Sequence, residues 1–457
     1  MAESASNRGF QGIRALFEGN RRAAPRLPAK QLDKLRAQLR ECAAGTGGEV
    51  SARLRAAKLG ETYLQLDDAG RHEFLLLIAI EFGPDPKAVA GAHAAYQKAV
   101  GTAAQWDGEL QLRAALRSSR IRILTQFNAL PQGVKFLVDM RADLLRFLEQ
   151  DPELAVLDRE LEARLTAWFD VGFLELQRIT WSSPAALLEK LMSYEAVHEI
   201  RSWNDLRNRL DSDRRCYAFF HPRMPMEPLI FVEVALTKEL AGNIHELLDE
   251  TAPVFDARRA DTAIFYSISN TQKGLRGVSF GNFLLKRVID DLKRDFPRLK
   301  TFSTLSPAPQ LRAWLDKNRD AAKDIATARE WSHIRAAAAT SSDTGLLDIL
   351  ADGAWHKNAA LARALRDPLE RLCARYLATA KQDDRPYDPV ARFHLGNGAR
   401  IERINWLADT SAKGLKQSAG MMANYIYDPD AIEDNVESFV GEGKIAVSAT
   451  IRRLLKD

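Results

Sequence analysis

Cysteine is scarce: the 457-residue chain holds 3, at Cys42, Cys216 and Cys373. Isolated cysteines in odd number exclude a disulfide framework and fit reduced thiols. Histidine is sparse too, 8 in all, with no pair at the spacing of helical metal ligands, so no metal site is expected. No apolar run approaches the roughly 20 residues of a membrane-spanning helix, and no membrane partner is expected. Charge nearly balances, with 65 Lys and Arg against 61 Asp and Glu, a formal net of +4. That excess is no footprint for nucleic acid, and it suits an anionic small molecule. Internal repeats and low-complexity tracts are lacking. The opening MAESASNRGFQGIRALFEGN has no charged-then-apolar secretory layout and carries two glutamates, which implies a cytosolic protein.

What is present is a globular composition, 46% hydrophobic and 28% charged, long enough for two cores. The pattern from about 28 to 180 is helical. In GVKFLVDMRADLLRFLEQ, Phe136, Leu137, Met140, Leu144, Phe147 and Leu148 recur at three- and four-residue steps, which builds one face for burial. Asp151-Pro152 then predicts the start of another helix. No chemistry clusters here, so residues 1–180 read as an all-α N-terminal bundle, a scaffold or oligomerisation domain.

From WSSPAALLEK the character changes, and 181–457 reads as an α/β domain. PLIFVEVAL and TAIFYSIS are short β-branched and aromatic runs of strand length. GNFLLKRVIDDLKRDFP is an amphipathic helix closed by proline, with Phe283, Leu284, Val288, Ile289 and Leu292 on one side. KTFSTLS follows as another strand. The order predicts a βαβ-like unit whose last strand ends at Ser306-Pro307, at a carboxyl edge where open α/β sheets place ligands. A helical stretch from about 311 to 381 comes next, then the glycine-marked FHLGNGARIERINWLAD and KGLKQSAGMMANYIYD.

Between the second strand and its helix lies NTQKGLRGVSFGN, with three glycines and the cations Lys273 and Arg276. Glycines let backbone N–H groups turn inward, and the helix start adds partial positive charge, a combination that can cradle a diphosphate. RGVSFGNFLL resembles the acyl-CoA-binding loop of the GNAT acetyltransferases, Arg/Gln-x-x-Gly-x-Gly/Ala leading into a helix. Arg276, Gly281 and Asn282 fall on that motif, and Ser279 replaces its first glycine. The resemblance makes Arg276, Gly277, Val278, Ser279, Phe280, Gly281 and Asn282 the expected binding residues.

Longer segments, EAVHEIRSW, RRCYAFFHPRMPMEPLIFVEVALT, TAIFYSISNTQKGLRGV, FSTLSPAP and FHLGNGARIERINWLADTSAKGLKQSAGMMANYIYD, are similar in order and wording to the malonyl-CoA decarboxylase family. The likeness covers most of 181 to 430. It implies an α+β protein: a helical N-terminal domain, then a GNAT-like catalytic domain interrupted by a helical insertion. It also implies homo-oligomers formed through the helical domain, and malonyl-CoA as the partner molecule. The implied reaction turns malonyl-CoA into acetyl-CoA and CO2 with no cofactor, CoA being part of the substrate.

On the family's pattern Ser306 matches the active-site serine and His394 the proton donor. Histidine titrates near neutrality and so can hold the proton an enolate carbon requires. Asn397 and Tyr427 fall in similar segments and are expected to orient the pair, while Ser303 and Thr304 are expected to face the sheet. Ser306 and His394 are 88 positions apart, so the helical insertion must fold back. An amine N-acyltransferase built on the same loop, and a CoA-sensing module without chemistry, are the other readings the residues leave open.

Overall fold

The computed structural model describes residues 27–44, 48–278, 283–323, 325–339 and 345–456. By its contacts the chain forms two units, one of Met1–Trp168 with Gln272–Val278, the other of Phe169–Thr271 with Ser279–Asp457.

The first unit is helical. Its helices are Ala29–Ala44, Glu49–Gln65, Asp68–Glu81, Pro86–Ala99, Gln105–Ala115, Arg120–Asn128, Gly133–Phe147 and Ala155–Trp168. Local chemistry sets their starts. Asp67 accepts the N–H of Gly70, and Asp85 accepts that of Lys87 with Pro86 at the first helical position. Leu137, Met140, Leu144 and Phe147 are buried as their spacing predicts. Past Asp151-Pro152 the chain makes one tight turn, Pro152–Leu154, before the helix that begins at Ala155. The pair Pro86–Ala99 and Gln105–Ala115 is different: the former buries no residue and the latter only Gly108.

Gln272–Val278 is held within this unit by Arg141, which is 1% exposed. Its Nη1 donates to the carbonyls of Gly274 at 2.9 Å and Arg276 at 2.7 Å. Nε and Nη2 pair with Asp158 at 2.8 Å and Glu162 at 3.1 Å. At Gly277 φ is +88°, a left-handed conformation that glycine adopts without strain.

The second unit is built on a mixed sheet. Its strands are β1 (Glu175–Ile179), β2 (Arg214–Phe220), β3 (Ile230–Thr237), β4 (Thr262–Asn270), β5 (Thr301–Thr304), β6 (Ser306–Pro307), β9 (Arg400–Asn405) and β10 (Met422–Ile426); β7 (Lys381–Gln382) and β8 (Arg385–Pro386) form a separate small hairpin. The order is β1-β2-β3-β4-β5-β10, with β6 on β10 beyond β5 and β9 also on β10. β4 and β5 are parallel, joined through the helix Phe283–Asp295, as the βαβ reading expects. Every other pair is antiparallel. The protein is thus α+β, a helical region followed by a sheet domain. β2 is buried along its whole length, which explains its lack of apolar-polar alternation.

Two irregularities shape the sheet. Phe265 pairs with Val234 and Ser267 with Glu233, which leaves Tyr266 as an extra, bulged residue on β4. β4 and β5 pair only from Thr262↔Thr301 to Phe265↔Thr304, and among the described residues no other strand takes up that edge of β4 toward Asn270. The Leu305 N–H still donates to the Phe265 carbonyl at 3.1 Å. The chain then leaves β4 and joins β10 through Ser306↔Ala423 and Pro307↔Met422. Ser306 therefore opens a second short strand instead of closing the first, and Pro307, without an N–H, ends the ladder. The insertion that follows is helical, through Leu311–Lys317, Arg319–Lys323, Ala328–Ala338, Leu346–Ala351 and Ala359–Thr379, and it leads through the small hairpin into the helix Pro389–Gly396.

Candidate active site

His394 sits in the last turn of Pro389–Gly396. Asp388 begins that helix by accepting the N–H groups of Val390 and Ala391, with Pro389 at its first position. The other Asp388 oxygen accepts the hydroxyl of Tyr376 at 2.9 Å, so the insertion's longest helix braces the histidine helix. Burial raises the Asp388 carboxyl, against the hydrogen bonds that favour its charge. At the far end Asn397 donates its side-chain amide to the Phe393 carbonyl at 2.6 Å, and Gly398 turns the chain at φ +81°. A Cβ on Gly398 would lie 2.4 Å from the Ile432 carbonyl oxygen.

Ser306 Oγ and His394 Nε2 stand 3.0 Å apart, across the 88 positions between them. Nδ1 of the same ring is 2.7 Å from the hydroxyl of Tyr427. Tyr425 stacks on the imidazole, centroids 4.6 Å apart with planes at 28°. Ser306 also donates to Thr304 Oγ1 at 2.9 Å. The serine is 7% exposed and the histidine 2%.

Burial pushes the imidazole down to about 3, so the free protein holds His394 neutral at pH 7. That departs from the sequence reading, in which the residue keeps a proton near neutrality, and the cause is the packing around the ring. Tyr427 and Tyr425 are raised well above the usual tyrosine range by burial, and both stay protonated. The pair is thus a neutral hydroxyl and a neutral imidazole, with no formal charge on either.

The structure gathers Ser306, His394 and Tyr427 at one place and gives Asn397 the work of ending the histidine helix. Thr304, against expectation, shares the active side with Ser306: the apolar cluster opposite takes Leu305 between them. The strand period of two carries that information, as it does for Tyr425 and Tyr427. Asp388 was legible only as a helix cap. Of the loop residues, Arg276, Gly277 and Val278 lie in the helical unit, while Ser279, Phe280, Gly281 and Asn282 lie outside the described residues. Among the described residues no group of three or more His, Cys, Asp and Glu is placed to hold a metal ion, and no helix is long and apolar enough to cross a membrane.

The family described as malonyl-CoA decarboxylase C-terminal domain matches residues 172–457, and the family of the corresponding N-terminal domain matches 82–169. The chain belongs to the malonyl-CoA decarboxylase family. The mouse mitochondrial malonyl-CoA decarboxylase is 37% identical over 96% of this chain and 91% of its own length. The goose mitochondrial malonyl-CoA decarboxylase is 37% identical over 88% and 83%. Crystal structures of malonyl-CoA decarboxylases are similar throughout: that from Rhodopseudomonas palustris at 41% identity and TM-score 0.83, over 92% of this chain and 99% of its own. That from Cupriavidus metallidurans matches at 44% and 0.72, over 93% and 100%. The mitochondrial names of the animal decarboxylases overturn the cytosolic expectation. That expectation rested on the layout of MAESASNRGFQGIRALFEGN and its two glutamates, and two acidic residues do not exclude an organelle.

Proposed function

We propose that this chain decarboxylates malonyl-CoA to acetyl-CoA and CO2, with Ser306 and His394 at the reacting end. The observation that carries the reading is the buried 3.0 Å contact between Ser306 Oγ and His394 Nε2 in a member of this family. Loss of CO2 leaves the electrons of the broken C–C bond on a thioester enolate, which must be stabilised at oxygen and then protonated at carbon. When substrate binds, Ser306 turns its O–H from Thr304 to the substrate carboxylate and holds it out of the thioester plane, so that the breaking bond overlaps the carbonyl. The same carboxylate brings negative charge beside His394 and favours imidazolium, which takes its proton from solvent. Nε2 then delivers that proton to the carbon. One proton is consumed per turnover, and one acetyl-CoA and one CO2 are formed.

The bulge at Tyr266 and the unpaired edge of β4 support a GNAT-like reading in which backbone amides there meet the enolate oxygen. A preorganised donor of that kind contributes ~2.7–4 kcal/mol. The segment from Arg276 to Asn282 is proposed for the nucleotide end, on its cation and glycines. Purified protein given malonyl-CoA should release CO2 and acetyl-CoA in equal amounts. Malonyl-CoA that persists under the assay refutes the reading, and free CoA appearing only with an added amine supports acyl transfer instead.

A further inference from the structure

We propose that Thr304 is a positioning residue for this reaction: its Oγ1 takes the Ser306 proton, which keeps His394 protonated on Nε2 and makes Tyr427 the donor to Nδ1. The inference deepens the decarboxylase reading and rests on it.

Thr304 is 0% exposed, and its Oγ1 accepts twice. The Ser306 hydroxyl donates to it at 2.9 Å and the backbone N–H of Tyr425 at 3.2 Å. The second donor belongs to β10, so threonine's oxygen is held by sheet pairing and not by a free rotor. A serine hydroxyl owns one proton. With that proton committed to Thr304, Ser306 meets Nε2 at 3.0 Å only as an acceptor, and Nε2 must carry the hydrogen. A neutral imidazole has a single N–H. Nδ1 is therefore a lone pair, and the Tyr427 hydroxyl 2.7 Å away donates to it. All three hydrogen bonds then run one way, from Tyr427 through His394 and Ser306 to Thr304.

The direction matters because Nε2 is the nitrogen beside Ser306, where the acyl end is proposed to lie. Without Oγ1 the serine proton turns to the remaining acceptor, Nε2, and the ring hydrogen moves to Nδ1, against Tyr427. A residue that fixes a catalytic histidine's tautomer acts through that histidine, and its loss is felt in turnover more than in binding.

Thr304→Val keeps the shape and removes the acceptor, while Thr304→Ser keeps the acceptor. Thr304→Val should lower kcat by ~10–100-fold with KM within about twofold, and Thr304→Ser should keep at least about a third of wild-type kcat. Nitrogen NMR of histidine-labelled, substrate-free protein reads the tautomer directly, with His394→Asn assigning the signals. Wild type should show hydrogen on Nε2, and Thr304→Val should show it on Nδ1. Wild type with hydrogen on Nδ1 overturns the proposal, and so does a Thr304→Val protein with unchanged tautomer and kcat. Should Thr304→Val not fold, the wild-type tautomer decides. Because that measurement needs no substrate, a protein inactive on malonyl-CoA would sink the decarboxylase reading while the hydrogen-bond direction is still decided.

Discussion

The Tyr427 hydroxyl stands 2.7 Å from Nδ1 of His394, on the nitrogen turned away from Ser306. Both partners are buried, so neither can exchange the contact for water. Tyr427→Phe leaves that nitrogen without its donor, a penalty of ~1–3 kcal/mol for a buried polar atom. If part of it falls on the transition state, kcat should drop about tenfold with KM little changed. Steady-state kinetics on malonyl-CoA checks this, and unaltered kcat would show that the tyrosine only packs.

Ser306→Ala and His394→Ala should each reduce CO2 release by at least ~10²-fold, the low end for groups that move protons. Groups acting as a unit are not additive, so the double variant should be little worse than either single one. Circular dichroism must first show each variant folded. A folded double variant with normal turnover removes both residues from the mechanism.

Stability should pass through a maximum near pH 6.5. Burial lowers His394 to about 3 and His198 to about 4 from an ordinary 6.5. Below 6.5 the unfolded chain binds protons that the folded protein refuses, so stability is lost as pH falls toward those values. Glu233 runs the other way: burial, then the Glu195 carboxylate, raise it from 4.5 to about 8. Its contribution is complete below 4.5 and is lost as pH rises through 8. Melting temperatures across pH 4 to 9 should show both limbs, with His394→Asn flattening the acid one and Glu233→Gln the alkaline one. A Tm that climbs steadily through pH 8 contradicts the Glu233 assignment.

Arg141 is buried with two carboxylates and two backbone carbonyls around it. Arg141→Met strands Asp158 and releases the Gly274 and Arg276 carbonyls. Breaking a buried ion pair costs ~3–5 kcal/mol. Urea unfolding measures the loss, and limited proteolysis should cut within Gln272–Val278 sooner than in wild type. Equal resistance in both would mean that the segment is held by something else.

The hairpin of Pro86–Ala99 and Gln105–Ala115 leaves Trp106 71% and Leu110 65% exposed. An apolar face of this kind supports the expected self-association through the helical region. Trp106→Asp with Leu110→Asp should lower the particle mass seen by light scattering. A mass equal to wild type places any oligomer contact elsewhere.

Local patterns carried much of the fold. Three- and four-residue apolar steps marked the helix around Leu137 and Leu144, Asp151-Pro152 marked the approach to the helix that begins at Ala155, and β-branched runs marked β3 and β4. These signals lie within one turn or one strand, where neighbouring residues decide conformation. Ser306 and His394 were legible through family wording, which records their identity but none of their surroundings.

What the amino-acid order determined by itself was therefore which segments become helix or strand and which side chains can do chemistry. Tertiary structure alone decided that Ser306 pairs with β10 beside Ala423, that Thr304 and Tyr425 close around the serine and histidine, and that Gln272–Val278 packs with the helical unit. It also decided that His394 is neutral. The reason is physical: pairing across 88 or 121 positions, and the burial that moves a pKa, depend on what distant segments lay against a residue, and no local pattern encodes that.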